Sequence, residues 1–320
     1  MRRPLCWMCV WIAGTLAAVL AGAVSVNGAD ETVTLRYRFE PGQSVYYRVD
    51  NESQFQVQFG TADETVKHSS QSLKHYTVIS VEQDGSAVIE LAIDRAQMQA
   101  VQNGGKATYD SASNQEPPEA FKGIQETIGR PWVRLHVTAT GRVTRAVQIG
   151  KLPGKNGAGD EASMVDKPSD ESMIQVLSVM PDKPVSVGSV WQDDYEASVM
   201  ASPMLQKPVK MQRQYKLLGV TKGVAQIECT TLVLTPLREP AEEAQLIQKT
   251  PKGTLTFEIA SGLMVERDLR VKNSVIGFQG AQSKLTVETV NHDRLVPADK
   301  VAAEKVSPIR AASATSEQGR

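Results

Sequence analysis

The sequence has few residues that could cross-link the chain or bind a metal ion. Of its 320 residues, three are cysteine and four are histidine. Cys6 and Cys9 lie in an N-terminal segment typical of a cleaved leader, so Cys229 would be the single cysteine of the exported protein and no intramolecular disulfide could form. The histidines show no metal-ligand spacing, and the sequence predicts neither a metal site nor a cofactor. Stability must therefore come from a hydrophobic core.

Local motifs for catalysis are absent as well. The sequence has no Gly-x-Ser-x-Gly elbow, no phosphate-binding P-loop and no His-Glu-x-x-His pair. Three acidic doublets are present, namely Asp63-Glu64, Asp193-Asp194 and Glu242-Glu243. Neighbouring side chains on a strand point to opposite faces, so we expect each doublet to be solvated rather than to share a proton or a metal ion. These features disfavour an enzyme and leave open a hydrolase with dispersed catalytic residues.

The charge balance disfavours nucleic acid as a partner. The chain has 35 basic and 36 acidic residues. Loss of the leader with Arg2 and Arg3 would leave 33 basic against 36 acidic residues, a net charge of about −3. Such a protein has no electrostatic attraction for a polyanion or for an anionic membrane surface.

The N-terminal residues have the layout of a secretory signal peptide. Arg2 and Arg3 precede an apolar run over residues 10–26, and small residues follow before Asp30. This pattern predicts a signal peptide over residues 1–29 and an extracytoplasmic protein, periplasmic or secreted, with no stable membrane anchor after cleavage. The alternative is an uncleaved anchor, since the apolar run is at the short limit of a membrane span.

Alternation of apolar and polar residues dominates the rest of the chain. Leu35, Tyr37 and Phe39 alternate with arginines, and several later segments repeat this period of two. Such strands are half buried, which is typical of antiparallel sheet. Asp84-Gly85 is the strongest hairpin signal. Helices are predicted at Pro118–Ile128, Ser169–Met180 and Pro240–Lys249, each with a proline or a capping residue at its start.

Two segments indicate an internal duplication. Residues 134–145 and 255–267 are both strand–turn–strand patterns, and they align on Gly141 and Gly262, for which we predict positive φ angles. The predicted fold is mainly β (α+β), with curved antiparallel sheets from two tandem repeats and a few short helices, half-barrel or sandwich-like. The predicted divisions are a first β-rich repeat at 30–150, a linker loop at 151–170, a second repeat at 171–297 and a disordered tail at 298–320.

A resemblance to a known family rests on four features of the sequence. They are the segment Leu35–Tyr47, the mid-chain helix, the segment Pro184–Trp191 and the two Ala-[Thr/Ser]-Gly hairpins. The chain resembles exported bacterial proteins that are classed only as a domain of unknown function. Its layout is also remotely similar to the curved half-barrel of the bacterial lipoprotein carriers. The resemblance implies a fold and no activity, because architecture alone does not determine function.

Three functions follow as hypotheses. The first is a non-enzymatic envelope protein that binds a partner protein or supports an assembly through a sheet face or edge. The second is a carrier that holds a lipid or lipidated chain in a hydrophobic groove, and the third is the dispersed-site hydrolase. The candidate binding residues are Tyr46 and Trp191, which open the two copies and could anchor a partner at a sheet rim. Alternatively, both simply cap their cores.

Overall fold

The computed structural model describes residues 32–113, 115–150, 164–165, 177–202 and 204–304. The predicted signal peptide and most of the predicted linker lie outside these residues. Residues 169–176 of the predicted helix lie outside them too.

Thirteen strands form the described part of the fold. Their bounds are β1 Ser44–Phe59, β2 Ala62–Val81, β3 Ala87–Gln102, β4 Gly105–Asp110, β5 Pro131–Val137, β6 Val143–Gln148, β7 Met164–Val165, β8 Val190–Ser202, β9 Leu205–Thr221, β10 Val224–Val233, β11 Lys252–Glu258, β12 Leu263–Ile276 and β13 Ser283–Val296. The helices are α1 (Lys122–Gln125) and α2 (Pro240–Leu246), with 3-10 turns at Glu119–Phe121, Ile247–Lys249 and Ala298–Ala303.

Twelve strands follow one another across a single antiparallel sheet. The order is β7-β6-β5-β3-β2-β1-β13-β12-β11-β10-β9-β8, and β4 pairs with β3 beside this path. The first and second halves of the chain meet in the middle, where β1 pairs with β13 from Tyr46↔Val296 to Phe59↔Ser283. Among the described strands, β7 and β8 therefore lie at the two ends of this path, and β4 pairs with β3 alone. The predicted mainly β, antiparallel fold is confirmed.

The sheet folds over one shared core. The largest buried cluster combines residues of the first half, such as Tyr76 and Leu135, with residues of the second half, such as Leu217 and Phe257. Smaller clusters form beneath α1 and α2. We call the side of the sheet that carries these clusters the core-facing side, and the opposite side the outer side.

Two extended segments fill the space between the halves. Leu35, Tyr37 and Phe39 are buried as predicted, but their segment is not a regular strand and forms only an isolated bridge, Val33↔Val185. Its backbone bonds to two different hairpins instead, since Tyr37 N–H donates to Ala139 O (2.8 Å) and Arg38 N–H donates to Gly262 O (3.4 Å). A segment shared between two hairpins cannot continue a ladder with either one.

The second segment corrects a predicted helix. Residues 177–180, the last part of the predicted helix at Ser169–Met180, are not helical. Leu177 and Met180 are buried, and Met180 N–H donates to Thr140 O at 2.8 Å. The Tyr37 hydroxyl donates to Ser178 O (2.9 Å) and accepts from Ser178 N–H (3.1 Å). Because these tertiary bonds use the backbone groups, the segment is held extended despite its helical spacing.

Three other local predictions, for a turn, a helix and the C-terminal tail, have different outcomes. Asp84-Gly85 lies in the β2–β3 turn with Gly85 at φ +81°, as predicted. The helix predicted at Pro118–Ile128 is shorter than expected, and its apolar residue Phe121 is buried beneath β4.

The tail is ordered at its start, because residues 298–303 form a 3-10 turn and Glu304 pairs with Arg48 and Arg294. The prediction of disorder is therefore wrong for residues 298–304.

Gly141 and Gly262 occupy the turns β5–β6 and β11–β12 with φ of +81° and +65°, which confirms the predicted backbone conformation. Both turns pack closely against the segment that carries Tyr37. A Cβ at Gly141 would overlap the Tyr37 ring, and one at Gly262 would lie 2.5 Å from Arg38 N. Each glycine is therefore required by its backbone angle and by the space around it.

We predict that Gly141→Ala and Gly262→Ala each lower the free energy of unfolding by about 1–3 kcal/mol more than Gly42→Ala does. Gly42 is the matched control, because its φ is +80° and a Cβ there would meet nothing within 4 Å. It thus reports the backbone strain alone. Urea unfolding of the three variants measures the difference. Equal losses at all three positions would show that the two turns do not pack tightly on the N-terminal segment.

Candidate functional site

The candidate site is a cleft beside β8, at the edge that pairs with no other strand among the described residues, and we call it the edge cleft. Its volume is about 540 Å³. On one side lies the β5–β6 turn, on the other the middle of β8, and β9 contributes the floor. The lining residues include Gly141, Arg142, Val143, Val179, Asp193, Asp194, Tyr195, Glu196, Ser198, Lys210 and Met211.

Asp193 joins the two sides of the edge cleft. Only 4% of this residue is exposed. One of its carboxylate oxygens accepts from Arg142 Nη1 at 2.5 Å, and the other accepts from Arg213 Nη1 at 3.2 Å. Arg142 belongs to the β5–β6 turn and Asp193 to β8, so this ion pair links the first half of the chain to the edge of the second.

Arg213 is the buried partner in this cluster, with 6% of the residue exposed. Its guanidinium carbon lies 4.2 Å from the centroid of the Tyr195 ring, a cation–π contact. Asp193 and Arg213 are direct cross-strand neighbours on the core-facing side, because β8 and β9 pair them in register. Two strands thus place a charged pair in the interior, where the charges must be paired to be tolerated.

This arrangement overturns the prediction that the Asp193-Asp194 doublet is solvated. Asp194 is exposed on the outer side, whereas Asp193 faces inward. The doublet Glu242-Glu243 is not fully solvated either, because Glu242 is buried and its carboxylate accepts a hydrogen bond from Lys207 Nζ at 2.9 Å. That hydrogen bond with Lys207 is the main cause that holds the pKa of Glu242 below its ordinary value. Strand alternation predicted that Asp193 and Asp194 diverge, whereas it does not apply to Glu242 and Glu243, which lie on the helix α2. In both doublets only the tertiary structure supplied the partner of the buried carboxylate.

Gln245 of α2 reveals which backbone groups of β8 point away from β9. Its carboxamide accepts from Met200 N–H at 2.8 Å and donates to Met200 O at 3.0 Å, as a neighbouring strand would. In an antiparallel ladder, alternate residues direct their backbone groups to opposite neighbours. The register from Val190 to Met200 is regular. The N–H and C=O groups of Asp194, Glu196 and Ser198 therefore point outward, into the edge cleft.

The two predicted binding residues lie on different sides of the sheet. Tyr46 is partly buried on the outer side, and its ring centroid lies 5.0 Å from that of His75. Trp191 faces the core, stacks on Tyr215 with centroids 5.6 Å apart, and donates from Nε1 to Val179 O at 2.8 Å. The structure thus does not bring them together. Trp191 is two residues from Asp193 on the same side of β8, and a binding role for either residue stays a prediction.

Cys229 lies on β10 in the core, where 4% of it is exposed. Burial raises the pKa of its thiol to about 11, so the reactive thiolate is scarce at neutral pH. This confirms the prediction that Cys229 is buried.

A second buried ion pair lies on the core-facing side of β12 and β13. Arg267 Nε donates to Asp293 Oδ2 at 2.7 Å, and Asn291 donates to the other oxygen of Asp293 at 3.0 Å. Asp293 is 3% exposed. As with Asp193 and Arg213, the two charges are cross-strand neighbours in register. Sequence reasoning missed both pairs, although charged residues on an otherwise apolar alternation are a signal that could have found them.

Comparison with known proteins gives a family match for part of the chain. Residues 161–264 match the profile of a family of unknown function (DUF6263), which confirms the expected resemblance to a domain of unknown function. No curated protein matches the chain.

Solved structures give only weak likenesses. A structure titled for lipid–protein interactions in lipovitellin aligns over 81% of this chain and 26% of its own, with 12% identity and a TM-score of 0.43. The translocator domain of the autotransporter NalP from Neisseria meningitidis aligns over 80% of this chain and 89% of its own, with 6% identity and a TM-score of 0.24. A MucA/MucB complex from Pseudomonas aeruginosa aligns over 76% and 88%, with 10% identity and a TM-score of 0.10. The chain spans about a quarter of the lipovitellin chain.

Within the described ranges, the structure contains no helix with the length and apolar character needed to cross a bilayer.

We predict that Asp193→Asn lowers the free energy of unfolding by about 3–5 kcal/mol, because it leaves the guanidinium of Arg213 buried without its counter-charge. The control is Asp268→Asn, which breaks an exposed pair with Arg270 (3.0 Å) and should change stability little. Thermal and urea unfolding measure both variants. A small loss for Asp193→Asn would mean that water reaches Arg213 and that the cluster does not join the two sides of the cleft.

Proposed function

We propose that this protein is a non-enzymatic binding protein of the cell envelope, and that it captures an extended polypeptide segment as an added strand on β8. The observation that carries the proposal is the outward-pointing backbone of Asp194, Glu196 and Ser198 along a cleft of about 540 Å³. Strand addition to a sheet edge is a recurrent mode of peptide recognition, in which main-chain hydrogen bonds supply much of the affinity.

The exposed edge has the right length for a short strand. Asp194 to Ser198 spans about 13 Å at roughly 3.3 Å per residue. At one end of this stretch, Gln245 occupies the backbone groups of Met200 and so marks where the added strand must stop. An edge with unpaired backbone groups otherwise invites uncontrolled association. The exposed side chains of Asp194 and Glu196 on the outer side counter this tendency with charge.

The lining of the edge cleft indicates which sequence of apolar and polar residues a bound segment should have. Side chains of an added strand alternate between the two faces of the sheet. On the core-facing side they would meet Val143, Val179 and Met211, and on the outer side they would lie near the carboxylates of Asp194 and Glu196. The segment that fits best therefore has apolar residues at every second position and polar or basic residues between them.

The carrier hypothesis receives less support from the same structure. Its requirement is an open groove lined by apolar side chains. Here the apolar side chains of the core-facing side pack into one large and three smaller clusters, with two extended segments and α2 among them. The edge cleft itself mixes charged and apolar residues. A polypeptide, which offers both main-chain polar groups and side chains, matches that lining better than a lipid chain does.

We predict that Glu196→Pro abolishes binding of such segments and leaves the fold intact. Proline removes the N–H of residue 196, which points outward and is not part of the ladder with β9. Glu196→Ala is the matched control, because it removes the carboxylate and keeps the N–H. The probe is a displayed library of peptides with apolar residues at alternate positions, followed by calorimetry of the selected peptides with each variant.

Amide hydrogen exchange locates the binding. In the free protein the amides of Asp194, Glu196 and Ser198 should exchange rapidly, and a bound peptide should protect all three. Slow exchange of these amides in the free protein would show that the chain's own residues already occupy the edge, and would overturn the proposal. Binding that persists in Glu196→Pro, or that protects other strands, would overturn it as well.

Localisation in the envelope is part of this proposal and rests on the N-terminal sequence. The two arginines, the apolar run and the small residues before Asp30 together support export and cleavage. We predict that mass spectrometry of the protein from its native cell finds an N-terminus between Val24 and Glu31. An intact Met1 would instead support a retained anchor.

A further inference from the structure

A second, much smaller cavity lies on the core-facing side of β9, β10 and β12. Its volume is about 20 Å³, enough for a single water molecule or a small ion. Its lining combines the polar residues Ser178, Arg213, Tyr215, Cys229, Thr231 and Arg267 with the apolar residues Leu177, Pro251, Leu255 and Leu269. The cavity is separate from the edge cleft, although Asp193 of the cleft is bonded to Arg213.

Two buried polar groups at this cavity have no partner among the described residues. Arg213 uses Nη1 to bond Asp193, whereas its Nη2 is shielded from solvent and reaches no acceptor. The hydroxyl of Thr231 is also shielded and unbonded. The two residues are cross-strand neighbours on β9 and β10, so their side chains project from the same side of the sheet. A guanidinium N–H only donates and a hydroxyl is able to donate, so both can be satisfied by one acceptor.

The charges around the cavity also point to an acceptor, one that carries negative charge. Arg213 and Arg267 both line it, and two like charges at a buried site repel each other more strongly than they would in water. Their carboxylate partners, Asp193 and Asp293, do not line the cavity. The Cys229 thiol stays protonated at neutral pH, since burial raises its pKa, and adds no negative charge.

We propose that this cavity is a binding site for a small monovalent anion of the halide class, held by Arg213 and Thr231 beside Arg267. An anion accepts from both unpaired groups and offsets the positive potential between the guanidiniums. A water molecule could accept the same hydrogen bonds, but it would leave that potential uncompensated. The site therefore stabilises the packing of β9, β10 and β12 around the cavity, and it does not depend on the function proposed for the edge cleft.

Bromide provides the direct test. Crystals grown in sodium bromide should show an anomalous peak between Arg213 and Thr231. In solution, the melting temperature should be about 2–4 °C higher in potassium chloride than in potassium gluconate of equal ionic strength, because an anion that binds only the native state stabilises it.

The variant Thr231→Val keeps the volume of the side chain and removes one donor, so the difference in melting temperature between the two salts should shrink by at least half. Thr230→Val is the control, because the neighbouring threonine projects from the opposite side of β10 and should leave the salt difference unchanged. No anomalous peak together with equal melting in both salts would identify the occupant as water and overturn the proposal. A salt difference that persists in Thr231→Val would place the anion elsewhere and overturn it too.

Discussion

The tertiary structure depends on the segment that carries Tyr37 and lies between the two halves of the sheet. Its backbone bonds to the β5–β6 hairpin on one side and to the β11–β12 hairpin on the other, and the Tyr37 hydroxyl makes two bonds with Ser178. The Tyr37 ring also packs edge-on against Phe257 at 5.4 Å. This segment and residues 177–181 fill the space between the halves, and among the described strands no ladder joins β7 to β8. The edge cleft lies between β8 and the β5–β6 turn.

The ion pairs have a different role from the core. Replacing a buried pair by apolar residues is often neutral for stability, whereas removing one partner is costly, so such pairs specify an arrangement more than they strengthen it. Asp193 is bonded to Arg142 across the edge cleft and to Arg213 below it. This geometry fixes the distance between the β5–β6 turn and β8. Asp193 holds Arg213, and Asp293 holds Arg267, at the lining of the small cavity.

Much of the local structure was predictable from the sequence because it depends on neighbouring residues. Period-two alternation identified the buried side chains of Leu35, Tyr37 and Phe39, and Asp84-Gly85 and Gly141 identified turns that need positive φ. The same reasoning failed at residues 177–180, whose helical spacing was overridden by backbone bonds to Tyr37 and Thr140. It failed again at Asp193, since alternation gives the direction of a side chain and says nothing about what lies opposite it.

The sequence by itself determined a mainly β antiparallel fold, the positions of its tight turns and the burial of Cys229, because these depend on periodicity, glycine and hydrophobicity along short stretches. Only the tertiary structure decided that β1 pairs with β13, that Gln245 covers the backbone of Met200, and that Arg213 and Arg267 share one cavity. Each of these contacts joins residues far apart in the chain. Such contacts form only when the whole sheet closes over its core, so no local pattern encodes them.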